Sequence, residues 1–142
     1  MVKLWIAAAV MLAAFMGMAV RCQADDAPLS MTSTDILLLG GDLAVTGLDF
    51  LQTRYISAHP GSCNEANPIL GTHPSLARVD TYFPVAMAAE VAASFAIPEI
   101  VHLLGGSDQL ARKTRTIAQS VFIGVESTVV LTNFRYGVKF NF

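Results

Sequence analysis

The feature that most restricts this chain is a pair of carboxylates inside an apolar run. Ile36 to Leu51 is hydrophobic apart from Asp42, Thr46 and Asp49, and Thr53 follows one turn later. An α-helix advances about 100° per residue, so Asp42, Thr46, Asp49 and Thr53 share a stripe about 60° wide. A carboxylate taken into an apolar medium needs a partner, a proton or a route back to water. Whatever fold the segment adopts must turn that stripe towards other polar groups. Two readings stay open. The stripe lines an ion or substrate path, or it is internal adhesion, its hydroxyls bonding to backbone and its acids capping or pairing with Arg54 or another base.

The same problem recurs downstream. Pro84 to Leu104 is apolar except for Glu90, Pro98, Glu99 and His102, while Ile117 to Phe134 carries Gln119, Glu126 and Asn133 in heptad spacing. At 1.5 Å per residue, those three make a polar seam about 21 Å long. Composition decides the solvent. Of 142 residues, 54% are apolar and only 14% charged, against about 25% charged in an ordinary soluble domain; mean hydropathy is +0.53. That is more apolar surface than one small domain can bury, so a lipid bilayer is the expected partner. Placing Asp at the centre of a spanning helix costs about 2.5–3.5 kcal/mol on insertion scales. Asp42, Asp49, Glu90, Glu99 and Glu126 are therefore expected to face one another, a polar cavity or the membrane surface. A net charge of −2 without a basic block argues against a nucleic-acid partner. Cys22 and Cys63 are too few for a disulfide scaffold.

Residues 1–24 read as a targeting segment. Lys3 precedes the apolar run Leu4–Val20, and Cys22 and Ala24 are small residues ahead of Asp25-Asp26. The alternatives are a signal peptide cut after Ala24 and an uncleaved fourth hydrophobic helix. Residues 25–34 are expected to form a polar, flexible segment and 35–142 a single helical domain, with Ser33, Thr34 or Asp35 able to cap its first helix. Gly40, Gly41, Ala44 and Gly47 keep the first mature helix slim. The periodicity breaks from Tyr55 to Thr72, and a further short helix is expected from Pro74 through Val79 and Phe83. Pro84–Leu104 is the clearest spanning candidate, Pro98 loosening it and Gly105-Gly106 stopping it. Asp108–Arg115 reads as a connector, Ile117–Phe134 as the last long helix, and Arg135, Tyr136 and Lys139 as an interfacial anchor. Small residues Ala88, Ala92 and Ala96, and Ser120, Gly124, Thr128 and Thr132, form ridges suited to tight helix contacts. With the N-terminus inside, basic residues divide almost evenly across the membrane, so orientation is weakly specified.

Loop and metal motifs admit bland readings beside sharper ones. Glu65-Ala66-Asn67-Pro68 suits a reactive or binding loop, or plain turn chemistry with Asn67 capping a helix that begins at Pro68. Glu99-x-x-His102 has the spacing of one arm of a helical di-iron site, yet Glu90 lies about 180° away from Glu99 and no second arm is present. Glu99, His102 and His73 are the candidate metal ligands on this reading, and a buried or interfacial polar pair is the alternative. His59, Cys63 and His73 fit no zinc pattern. The sequence holds neither a nucleophile elbow nor a phosphate-cradling glycine loop.

The order Asp49-x-x-x-Thr53, Glu65-x-Asn67-Pro68, Gly71, His73-Pro74 and Tyr82-Phe83 resembles a family of small bacterial multi-helix membrane proteins classed as a domain of unknown function. The likeness covers roughly Asp35 to Asn133. It implies an integral membrane protein with Asp49, Thr53, Glu65, Asn67 and Pro68 at the shared motif positions, and it brings no activity with it.

The expected protein is all-α, a three-helix membrane bundle preceded by a signal peptide or anchor, in a bacterial-type inner membrane. Its expected polar site comprises Asp42, Thr46, Asp49, Thr53, Glu65, Asn67, Pro68 and Glu126, with no cofactor. The function expected is that of a non-enzymatic accessory, binding or small transport component, associating with another membrane protein or with itself. The alternatives are a membrane-embedded metal-dependent or acid/base hydrolase and a soluble periplasmic helical bundle.

Overall fold

A computed structural model describes residues 30–140. The expectations for residues 1–24 and for the first part of the polar segment lie outside the described residues. Three helices follow in order: α1 Ser33–Ala58, α2 Leu76–Leu103 and α3 Asp108–Arg135. The described part of the chain is all-helical.

Each helix starts on a hydroxyl that relieves the unpaired amides of a first turn. Ser75 and Ser107 accept from the amides of Arg78 and Leu110 at 3.3 and 3.2 Å. At α1 the cap is Thr32, one residue before the expected candidates, and the Asp35 carboxylate accepts from the Thr32 amide at 2.9 Å to complete a capping box. Thr32→Ala is expected to cost about 1 kcal/mol in a thermal or denaturant unfolding series. An unchanged midpoint would show that α1 does not depend on this cap.

Helices α2 and α3 end on Schellman turns. Gly105 takes φ +83° and Gly137 takes φ +77°, and the amides of Gly106 and Val138 reach back to the carbonyls of Val101 and Asn133. Several boundaries differ from the sequence expectation. α1 begins at Ser33, inside the segment expected to be flexible, and continues past Tyr55 to Ala58, because the Thr32 cap starts it and packing carries it on. The segments before and after Pro84 form one helix, because Pro84 removes a single backbone bond from an element held by packing on both sides of it. Asp108–Arg115 is helix rather than connector, with Ser107 supplying the cap.

The loop 59–75 reverses the chain, so α2 runs antiparallel to α1. Arg54 meets Asp80 at 2.6 Å near the loop end, and Thr46 meets Glu90 at 3.4 Å further along. The turn at 104–107 reverses it again, making α3 parallel to α1, with Asp35 beside Arg115 at one end and Asp49 beside Asn133 towards the other.

The interior mixes apolar and polar side chains to a degree unusual in a water-soluble bundle. An apolar cluster lies at the loop end, Leu70, Val79 and Phe83 with Phe50 and Tyr82 against them, and Leu39, Ile56, Met87, Ala111, Val130 and Val138 are buried singly along the bundle. Elsewhere the buried interior includes Asp35, Asp42, Thr46, Asp49, Gln52, Thr53, Ser94, Arg115 and Gln119. Large aliphatics stand outside instead, Val85 at 63% exposure, Val125 at 56% and Leu131 at 62%. Charged and amide side chains are the ones normally found on the surface. Both α2 and α3 are long and apolar enough to cross a membrane.

The small-residue ridges depart from their expected role. Ala88, Ala92 and Ala96 on α2, and Ser120, Gly124, Thr128 and Thr132 on α3, are exposed and do not join the helices of this chain. Slim packing occurs on α1 instead. A Cβ on Gly41 would touch the Ile123 side chain at 3.7 Å, and one on Gly47 would touch Met87 at 3.8 Å.

Candidate functional site: a buried polar lane

The bundle interior is a succession of polar layers. At the end where α1 begins lies a buried ion pair. Arg115 donates to Asp35 at 3.2 Å, and both side chains are almost fully enclosed. Arg115 also donates from Nε to the Ser94 carbonyl at 3.0 Å and from Nη1 to the Ser30 carbonyl at 3.1 Å. The Ser94 carbonyl is available because of Pro98. In a regular helix the residue four positions later donates to that carbonyl, and proline has no N–H to give. The residue read from sequence as loosening the helix thus presents a carbonyl acceptor to the neighbouring helix. Pro98 is itself buried at this junction.

One layer further in, Gln119 Nε2 donates to Ser94 Oγ at 3.3 Å. Below it come the carboxylates of Asp42, Glu90 and Glu126, one from each helix. Asp42 lies within electrostatic reach of both Glu90 and Glu126. Thr46 Oγ1 donates to Glu90 Oε2. Asp42 is 0% exposed, and neither of its oxygens has a hydrogen-bond partner; Glu126 Oε2 is likewise buried and unpartnered.

The next layer holds Asp49, within electrostatic reach of Glu126 on one side and Glu65 on the other. Asn133 donates to Asp49 at 3.3 Å and to Gln52 at 3.1 Å, and Gln52 donates to the Val130 carbonyl at 3.3 Å. Thr53 Oγ1 and Glu65 Oε2 are buried without partners.

The Glu65–Pro68 loop closes this end as turn chemistry. Glu65 Oε1 accepts from the Asn67 amide at 2.8 Å, Asn67 Oδ1 accepts from the Ile69 amide at 2.9 Å, and Asn67 Nδ2 donates to the Tyr82 hydroxyl at 3.1 Å. The helix expected from Pro68 is only a turn, closed by Asn67 accepting the amides of Leu70 and Gly71. Pro68 itself is exposed. Asn67 Oδ1 thus serves a tight turn rather than a helix N-terminus.

Asp42, Thr46, Asp49, Thr53, Glu65 and Glu126 therefore line one interior, Asn67 braces its end, and Pro68 stands outside it. The candidate metal ligands do not join them. Glu99, His73 and His102 are exposed, and His102 pairs with Asp108 at 3.3 Å. Among the described residues, no three His, Cys, Asp or Glu side chains are grouped to hold a metal ion. The pairing with Arg54 that one of the two readings allowed does not form, since Arg54 binds Asp80 across the loop end.

Sequence reading overlooked the Arg115–Asp35–Ser94 junction. A signal was present. Ala111, Arg115 and Gln119 recur at four-residue spacing and carry the α3 seam one turn higher, and Ser94 stands four residues before Pro98. No protein family, curated protein or solved structure matches this chain.

Proposed function

We propose that the chain is an integral protein of a bacterial-type inner membrane, of the kind its Asp49/Thr53 and Glu65–Pro68 motifs resemble. In this reading it is a non-enzymatic component that binds or passes a small ligand along its interior. The bilayer covers the apolar exterior, and the carboxylate lane is the working part. The observation carrying the reading is a fully enclosed, unpartnered Asp42 on α1 facing half-buried Glu90 on α2 and Glu126 on α3. A structural scaffold has no need of this. Packed aliphatics would stabilise the bundle better than unpartnered buried carboxylates, so retaining the acids is a sign of use.

Two measurements on the full chain test it. After alkaline carbonate washing the protein should stay with the membrane pellet; recovery in the aqueous fraction would favour a soluble periplasmic bundle. Asp49→Asn should keep the fold, because an amide still accepts from Asn133, yet lose the cellular phenotype supported by the wild-type chain in a deletion strain. Full complementation by this variant would remove the lane from function.

A further inference from the structure

The identity of what occupies the lane follows from its charges, if the membrane reading holds. Asp42 faces Glu90 from α2 and Glu126 from α3, with Asp49 on its own helix and Glu65 on the loop continuing the series. The nearest buried cation is Arg115, and it is engaged by Asp35 and the Ser94 carbonyl. Among the described residues none of Asp42, Asp49, Glu90 or Glu126 forms an ion pair, and their fixed geometry offers no metal-holding group. Like charges held together away from water cannot all be ionised. Asp42 adds an independent observation: a side chain fully enclosed, with two acceptor oxygens and nothing donating to either.

We propose that Asp42, Glu90 and Glu126 share protons as a cluster, a series that Asp49 continues towards Glu65. Each step transfers one proton from a carboxylic acid to a neighbouring carboxylate. The donor O–H breaks as the acceptor O–H forms, and no redox partner is involved. The hydroxyls of Thr46 and Thr53 stand beside the series, Thr46 already bonded to Glu90 and Thr53 with its oxygen unpartnered. At the far end the Arg115 guanidinium is matched by Asp35 and set apart from Asp42 by the Gln119–Ser94 layer. The cluster is accordingly a proton store. Titrations of such groups belong to the cluster rather than to single residues.

The test uses the full-length protein in lipid vesicles, read by pH-difference infrared spectroscopy of the carboxylic acid C=O stretch. Isotope labelling of Asp or Glu separates the two residue types. The expected result is a protonated-carboxyl band at neutral pH, with the Asp component lost or shifted in Asp42→Asn and the Glu component altered in the same variant. Glu90→Gln is the second variant, and it should shift the Asp component without removing it. Absence of any such band at neutral pH overturns the proposal, as does a band unchanged in both variants. A band that vanishes when sodium replaces choline in the buffer also overturns it, assigning the cluster to an inorganic cation. Carbonate washing of the same vesicles reports on membrane integration separately, so failure of the proton store and failure of the membrane reading are distinguishable.

Discussion

Arg115→Leu is expected to destabilise the bundle by about 3–5 kcal/mol, the range seen when one member of a buried ion pair is removed. Leucine leaves Asp35 enclosed without its cation and strips the Ser94 carbonyl of a donor that Pro98 cannot replace. The measurement is an unfolding titration in mixed micelles. The exposed pair provides the internal comparison. Arg54 and Asp80 are closer, at 2.6 Å against 3.2 Å, but their side chains are 21% and 41% exposed. Solvent screening limits such a pair to about 0–1 kcal/mol, so Arg54→Leu should have the smaller effect despite the shorter distance. Combining Arg115→Leu with Asp35→Asn should recover part of the loss, since the stranded charge is gone while the amide can still serve the Thr32 cap. A loss under about 1 kcal/mol for Arg115→Leu would mean that water reaches the pair.

Phe83→Ala is the second large effect, also about 3–5 kcal/mol. Phe83 packs against Leu70 and Val79, with the Phe50 ring at 5.4 Å and the Tyr82 ring at 5.2 Å. This cluster is where α1, α2 and the loop meet through apolar contact. Truncating it should loosen the loop end and with it the Asn67–Tyr82 brace below the lane. Val125→Ala removes two methyl groups from a side chain 56% exposed on α3 and should change little in micelles. If the two substitutions had equal effects, the assignment of inside and outside along α2 and α3 would be wrong.

These two sites show unequal legibility from sequence. Val79 and Phe83 follow helical spacing, with Arg78 and Asp80 off their face, so their burial could be read directly. The inward aim of Asp42, Thr46, Asp49 and Thr53 was equally readable, because side-chain direction along a helix is a local property. Glu90 and Glu99 fall on opposite faces of α2, and Glu90 is accordingly turned inward while Glu99 is exposed. Helix limits were less legible. A proline suggests a break by local sterics, but whether the helix continues is decided by what packs on either side, and α2 passes through both Pro84 and Pro98. The small-residue ridges misled for a related reason. Close spacing of Ala, Gly and Ser permits a neighbour to approach without specifying whether that neighbour belongs to the same chain.

By itself the sequence determined three apolar helices, each with its acids on a definable face. It also determined an unusually apolar composition. Periodicity and composition are sufficient for these, since each depends only on residues near in the chain. The tertiary structure alone decided which acids meet. It placed Asp42 with Glu90 and Glu126, gave Arg115 to Asp35, and turned the carbonyl freed by Pro98 into an acceptor for a neighbouring helix. Those outcomes depend on the rotation and register of helices tens of residues apart, which no local pattern encodes. The stripe on α1 thus comes from sequence, and its lack of a counter-charge comes from the fold.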